Sequence, residues 1–384
     1  MYPSIEVAGS PTERGRQHGE AARERVHGSI EGYREVFAHY TGWDWSRVRA
    51  EAARFREPVA AYGAAYAEEI RGIADGAAVD ELDVLALNVR TEIMFAATAR
   101  DVTAGLRLPA ECSAFAALPP RTADGAVLLG ENWDWIPHAA ETTVILEARQ
   151  EGAPDYVTVV EAGLLAKFGM NSSGVAVVAN ALVCDEDQGR PGVPFHVLLR
   201  AILDAETISD ALRTLQRAER SSSANYLIAH ADGVAVDVEA APGDYTRLFL
   251  HDPAGGLLLH TNHFTHERFR GGNVSLVAMP DSPFRLQRLR ALVDARRGTL
   301  DAGFFREALA DHATFPLGIC CHPDVRLPAP ERSATLAGVV MDVPARRMWL
   351  AAGNPCVAPW EELDYGERLR KPSPLAADAV SFAV

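Results

Sequence analysis

Ala110-Glu111-Cys112-Ser113-Ala114-Phe115 divides the chain into two kinds of sequence. Up to Arg107-Leu108-Pro109-Ala110 the residues are rich in Ala, Arg and Glu, with apolar positions at the three-and-four spacing of an amphipathic helix. Past Cys112, short apolar or alternating runs cut by Gly, Asp and Pro read as strands. A cysteine at such a boundary has a particular chemical use. A cut just before it would give Cys112 both a thiol and a free α-amino group. An α-amino pKa of about 7.7–8.0 suits a base for a thiol that titrates near 8.5. The plain alternative is an inert buried thiol, the usual state of a cysteine in an apolar strand.

Toward the N-terminus, Ser10-Pro11-Thr12-Glu13 sets a capping serine before a proline, with glutamate three residues on. Helices are predicted over Glu20 to Phe37, Trp45 to Ile70 and Leu82 to Ala97, and no strand is predicted in this first hundred residues. Toward the C-terminus, strands are predicted over 127–129, 143–148, 156–161, 174–182, 226–230, 234–239 and 257–260, with a last hairpin at 337–342 and 347–351. Two helices interrupt them, one after Pro194 and continuing past Thr207, the other from Ser282-Pro283 with Leu286, Leu289 and Val293 at helical spacing. This order indicates an α+β fold of antiparallel sheets covered by helices. The tail, Glu361 to Val384, reads as a loosely packed arm.

A length of 384 residues allows a large core. The net charge of −15, from 37 basic against 52 acidic side chains, argues against nucleic-acid and anionic-membrane partners. Only Lys167 and Lys371 are lysines, so phosphate-loop or Schiff-base lysine chemistry has almost no candidates. The five cysteines are too sparse for a disulfide framework, the opening residues lack a secretory signal, and no run is apolar enough to span a membrane. The expected setting is cytoplasmic and reducing, with free thiols.

Other chemistry-bearing stretches follow. Gly130-Glu131-Asn132-Trp133-Asp134-Trp135 reads as a pocket rim in which Asp134 orients an amine or takes a proton, or as a turn. Asn225, opening a strand after Ser221-Ser222-Ser223-Ala224, offers an amide donor to an oxyanion. His260, His263 and His266, and Cys320-Cys321-His322, supply imidazoles and thiols. Their spacing is poor for a zinc site, and adjacent cysteines do not share one metal comfortably.

These segments together resemble the acyl-coenzyme A:isopenicillin N (6-aminopenicillanic acid) acyltransferase family. The resemblance runs from Arg14-Gly15-Arg16-Gln17-His18-Gly19 through Cys112, Gly130-Glu131-Asn132-Trp133-Asp134, Gly169-Met170-Asn171, Asn225-Tyr226-Leu227 and His260-Thr261-Asn262-His263-Phe264 to Gly353-Asn354-Pro355-Cys356. It implies an N-terminal nucleophile hydrolase fold, a four-layer αββα sandwich with a helical N-terminal segment. It also implies self-cleavage between Glu111 and Cys112, leaving 1–111 as the chain's own helical subunit and 112–384 as the catalytic one. By the same resemblance Cys112 is the nucleophile, Asn225 the oxyanion donor and Asp134 the acid near the new amine, with Asn171 among the catalytic candidates. Glu131, Trp133, Ser113 and His263 fall on the substrate side.

Glu111 stands where the family usually has Gly, and Glu131 where it has a neutral amide. A carboxylate at 131 is expected to favour a cationic substrate. The expected substrate is a small acylated amine, split or transferred through a thioester on Cys112. No metal and no resident cofactor are expected. Coenzyme A enters only as an acyl donor, with Arg213, Arg217 and Arg220 on one helix face as its phosphate partners. Two other readings are an uncleaved binding protein, and a metal-dependent hydrolase built on His260, His263 and His266.

Overall fold

The computed structural model describes residues 1–100, 108–109, 112–296 and 298–369. Its β-branched and small apolar runs pair into two sheets. The larger joins β1 (Ser4–Ala8), β4 (Thr143–Arg149), β5 (Tyr156–Glu161), β6 (Phe168–Asn171), β7 (Val175–Ala181), β8 (Ala224–His230), β9 (Val234–Ala240) and β10 (Leu248–His251), in that order. Every neighbour is antiparallel except β1, which lies parallel to β4. The second sheet runs β11 (Leu257–His260), β2 (Ser113–Ala117), β3 (Leu128–Trp135), β12 (Ala334–Asp342), β13 (Arg347–Ala352), β14 (Trp360–Asp364), antiparallel throughout.

The sheets pack face to face, β2 and β3 against β7 and β2 against β8. Among the described residues seven α-helices precede β2: α1 (Pro11–Ala21), α2 (Arg23–Thr41), α3 (Trp45–Ala52), α4 (Arg56–Tyr62), α5 (Ala64–Ala77), α6 (Glu81–Asn88) and α7 (Arg90–Arg100). Then come α8 (Ala139–Thr142), α9 (Phe195–Ile202), α10 (Ile208–Gln216), α11 (Ser275–Ala278), α12 (Ser282–Ala295) and α13 (Ala302–Leu309). Helices α1, α9 and α10 sit on β1, β7 and β8, while α12 and α13 cover β11, β3 and β12. The result is helix, sheet, sheet, helix, the four layers that the resemblance implies. Among the described residues no helix is long and apolar enough to cross a membrane.

The predicted capping box is present: Ser10 Oγ accepts from the Glu13 N–H, and the Glu13 carboxylate accepts from the Ser10 N–H at 2.8 Å. Four expectations need correction. The first hundred residues do contain a strand: Ser4–Ala8 alternates exposed and buried and completes the large sheet, but its partner β4 is far along the chain. Thus the N-terminal segment is knitted into the sheet by backbone hydrogen bonds. The single helix predicted from Trp45 to Ile70 is three, broken by a 3-10 turn at Ala53–Phe55 and by extended backbone at Gly63. Leu82 to Ala97 divides at Val89. Trp360–Asp364 of the supposed loose arm is a strand paired with β13, and 370–384 lie outside the described residues.

Helices α1 and α5 cross with almost no space between backbones. A Cβ at Gly15 would stand 2.2 Å from the Glu69 carbonyl oxygen, and one at Gly76 would stand 2.1 Å from that of Arg16. Neither obstacle is a movable side chain. Contact this close lets buried Glu69 on α5 meet Arg14 on α1 at 3.1 Å and Arg200 on α9 at 3.4 Å. Gly76→Ala is therefore expected to destabilise the protein by roughly 1–3 kcal/mol through overpacking, read as a lower denaturant midpoint. An unchanged midpoint would contradict the close-packing account.

Candidate active site

Cys112 immediately precedes β2, whose register sets Ser113 opposite Asn132 and Ala114 opposite Glu131. Side chains alternate along a strand, so Cys112, Ala114 and Glu131 point between the sheets, while Ser113, Asn132 and Asp134 point toward α12 and α13. The contacts agree. Glu131 meets Lys167, on the connection from β5 to β6, at 3.2 Å, and accepts from the Ala179 N–H at 3.1 Å. Asn132 donates to the carbonyls of Leu309 and Ile319 at 2.8 and 2.7 Å, on the helical side.

The Cys112 thiol is buried, with the Asp134 carbonyl oxygen 3.8 Å from its Sγ. It opens on a cavity of about 20 Å³, room for about one water, lined among others by Arg90, Trp133, Lys167, Phe195 and Ser223. Burial pushes the thiol pKa up to about 12; Lys167 pulls it down, whereas Glu131 and Asp134 add to the rise. In the uncut chain the thiol is thus protonated at neutral pH.

Two buried ion pairs face this cavity with their cationic ends. Lys167 Nζ is held by Glu131 and by the Ala179 carbonyl at 2.6 Å. Arg90 is held by Glu161 at 2.7 Å and lies 4.2 Å from the centre of the Trp135 ring. Tyr33 completes the second cluster, donating to Glu161 at 2.8 Å and accepting from the Trp135 indole at 2.6 Å. The carboxylates stand behind their cations.

Arg285 fixes the backbone at Cys112. It is fully buried on α12 and donates to the Cys112 carbonyl at 2.6 Å, to Ser113 Oγ at 3.2 Å and to Asn262 Oδ1 at 3.0 Å. Asp281 holds its Nε at 2.8 Å, and Asn262 donates onward to the Ala181 carbonyl of β7 at 3.0 Å. Sequence reasoning missed Arg285, Lys167 and Arg90. The signal for Arg285 was available: it occupies the same helical stripe as Ser282, Leu286, Leu289 and Val293, the buried face of α12.

The other expected site residues divide. Trp133 lines the cavity, edge-on to Phe168. Glu131 does not: its carboxylate is spent on Lys167 and Ala179, so the preference for cations expected from this residue loses its basis. Asp134 is fully buried on the helical side and reaches the thiol through its backbone carbonyl and its field. Ser113 serves Arg285.

Asn171 is tied into a turn by its own side chain. Its Nδ2 donates to Leu203 and Ala205 carbonyls and its Oδ1 accepts from the Ser173 and Val175 N–H groups, which uses its full hydrogen-bonding capacity. Asn225 lies on the face of β8 that looks toward the second sheet, and its Nδ2 donates to Asp237 at 2.6 Å and Asn180 at 3.2 Å. His263 bonds Ser282 Oγ at 2.7 Å, and burial lowers its pKa to about 4.

His260 is bound to Glu239 at 3.1 Å and to the Thr261 carbonyl, and the three histidines 260, 263 and 266 do not converge as ligands. The arginine trio is no phosphate cradle either: Arg220 is buried against backbone carbonyls, Arg213 pairs with Asp210, and Arg217 covers Tyr62. Glu111 lies outside the described residues.

A two-sheet, four-layer sandwich with a cysteine heading a strand of the second sheet is the arrangement of the N-terminal nucleophile hydrolase fold. More narrowly, the chain belongs to the acyl-coenzyme A:6-aminopenicillanic acid acyl-transferase family, whose model matches residues 121–356, with Cys112 just ahead of that span. It is 29% identical over 354 residues to the acyl-coenzyme A:6-aminopenicillanic-acid-acyltransferase 40 kDa form of Emericella nidulans, covering 91% of this chain and 92% of that protein. Among solved structures it is similar to a variant of the conjugated bile acid hydrolase from Clostridium perfringens, at 14% identity and TM-score 0.48 over 68% of this chain and 94% of that one. It is also similar to the penicillin V acylase from Agrobacterium tumefaciens, at 15% identity and TM-score 0.43 over 67% of this chain and 87% of that one. Family membership makes the chain an enzyme of acyl transfer or amide hydrolysis.

Lys167→Met would strand the Glu131 carboxylate between the sheets, an expected loss of about 3–5 kcal/mol in urea unfolding. The double change Lys167→Met with Glu131→Met should recover most of that loss, because a buried pair replaced by apolar volume is often neutral. Equal losses in the single and double variants would show that the pair is not what joins the sheets here.

Proposed function

We propose that Cys112 carries the acyl group as a thioester, after the chain has cut itself before Cys112. In the cutting step the Cys112 thiol adds to the Glu111 carbonyl, the peptide nitrogen leaves as the new α-amine, and water hydrolyses the resulting thioester, freeing the thiol and leaving a carboxylate on Glu111. Residues 1–111 stay on as a bound subunit, consistent with β1 being hydrogen-bonded to β4. The freed amine then takes the thiol proton that burial otherwise holds in place. The thiolate attacks the substrate carbonyl, the substrate's amine or thiol departs with a proton, and water or a second amine removes the acyl group.

The observation that carries this reading is the buried Cys112 thiol opening on its own cavity, its carbonyl gripped by Arg285. Asn225 is proposed as the oxyanion donor, exchanging its longer bond to Asn180 for one to the tetrahedral intermediate. Asp134 is proposed to set the field at the amine, as it does at the thiol. With Lys167 and Arg90 facing the cavity, the substrate group beside the scissile bond is proposed to be neutral or anionic. An acyl-coenzyme A thioester remains a proposed donor, its phosphates held elsewhere than on Arg213, Arg217 and Arg220.

Denaturing mass spectrometry should find two fragments, 1–111 and 112–384, with Cys112→Ala remaining one chain. Wild-type protein that turns over substrate while uncut would overturn the α-amine as base. Asn225→Ala should lower kcat about 100-fold or more with KM little changed, the mark of a transition-state contact. An unchanged kcat would reduce Asn225 to a strand residue.

A further inference from the structure

On the helical side of the second sheet, away from Cys112, four soft donor groups converge. His312 follows α13, Cys320 and His322 lie further along the same connection to β12, and Cys356 sits in the turn from β13 to β14. Their donor atoms all lie within 4.8 Å of one another. His312 Nε2 is 3.1 Å from His322 Nε2, which in turn is 3.6 Å from Cys320 Sγ and 3.4 Å from Cys356 Sγ.

These three spacings are close to the edges of a metal tetrahedron. With metal–nitrogen bonds of about 2.0–2.1 Å and metal–sulfur bonds of about 2.3 Å, the N–N edge is about 3.3 Å and the N–S edge about 3.6 Å. Hydrogen bonding alone accounts poorly for the cluster. Facing imidazole nitrogens share at most one proton between them, and a thiol is a weak donor. A single cation at the centre would satisfy all four lone pairs at once.

We propose that His312, Cys320, His322 and Cys356 form a structural zinc site. Two thiolates and two neutral imidazoles balance the charge of a divalent ion, and a tetrahedral sulfur–nitrogen set selects zinc over oxygen-seeking magnesium or calcium. Asp311, the nearest carboxylate in sequence, is turned away to Arg288 at 2.6 Å. Asn354 supplies outer support, its Nδ2 lying 3.6 Å from Cys320 Sγ and 2.6 Å from the Cys321 carbonyl. Adjacent Cys321 takes no part; its N–H is bonded to Thr335 Oγ1 at 2.9 Å. Of the four ligand residues Cys320 is buried and His312 exposed, which leaves a way in.

Four protein ligands leave no open position, so the ion would tie elements together and not act on substrate. It would join the α13–β12 connection to the β13–β14 turn. That connection supports the active-site strand from below: Asn132 of β3 donates to Leu309 and Ile319, and Cys321 pairs with Thr335, which faces Asp134 across the sheet.

The test is metal content of the full chain, expressed with zinc in the medium and purified without chelators. Elemental analysis should give about one zinc per chain for wild type and for Cys112→Ala, falling below about a tenth in Cys356→Ser and in His312→Gln. If these variants fold poorly, wild-type protein stripped of metal and kept reduced should take up one equivalent of Co(II), with the intense visible bands of a tetrahedral thiolate complex. Folded wild type that binds neither zinc nor cobalt stoichiometrically overturns the proposal. So does a doubly substituted Cys356→Ser, His312→Gln protein that keeps its metal, or a Cys320–Cys356 disulfide whose reduction restores no metal uptake.

Discussion

The ammonium of Lys167 and the carboxylate of Glu131 meet in the middle of the sandwich, out of reach of water, and much of the site follows from that contact. Neither charge tolerates burial alone, so each sheet needs the other. Glu131 brings β3, and with it Trp133 and the neighbouring β2; Lys167 and the Ala179 N–H bring the facing sheet. Cys112 is placed by the same register. Because the carboxylate stands behind the lysine, the cavity beside the thiol is faced by the positive end of the pair.

A single strand divides the remaining work by alternation. Cys112 looks inward to the cavity, while the next residue, Ser113, looks outward to Arg285. That arginine also holds the Cys112 carbonyl and, through Asn262, reaches β7 of the opposite sheet. Cys112, the proposed oxyanion donor Asn225 and the pocket cations thus hang on rigid strands and one buried guanidinium. Asn132, outward like Ser113 but on the neighbouring β3, ties that strand to the end of α13 and to the loop that carries the histidine and cysteine cluster.

Most strands after Cys112 were legible because their runs are apolar and their turns carry Gly or Asp: Val175–Ala181, Val234–Ala240 and Leu257–His260 fall close to expectation. The strand Ser4–Ala8 was not, since five alternating residues mean little until a partner strand appears. Helix breaks at Gly63 and Val89 reflect packing choices that a periodic pattern does not encode. At the site, chemistry was readable by type but not by orientation. Glu131 was singled out as a departure, yet only the fold reveals Lys167 as its neighbour. Asn171 attracted notice as part of a motif and proves to be a fully bonded turn residue. Cys320 and His322 were noticed but read as poorly spaced for zinc, because His312 and Cys356 join them only through the end of α13 and the return of β13.

The central claim is that the acyl group rests on Cys112. Mixing purified enzyme with an activated acyl donor, quenching in acid during the first turnovers and mapping the peptides by mass spectrometry reads this directly. The account predicts the acyl mass on the peptide that begins at Cys112, labile to hydroxylamine, and absent from Cys112→Ala. Acyl label on any other residue, or full turnover by Cys112→Ala, would contradict it.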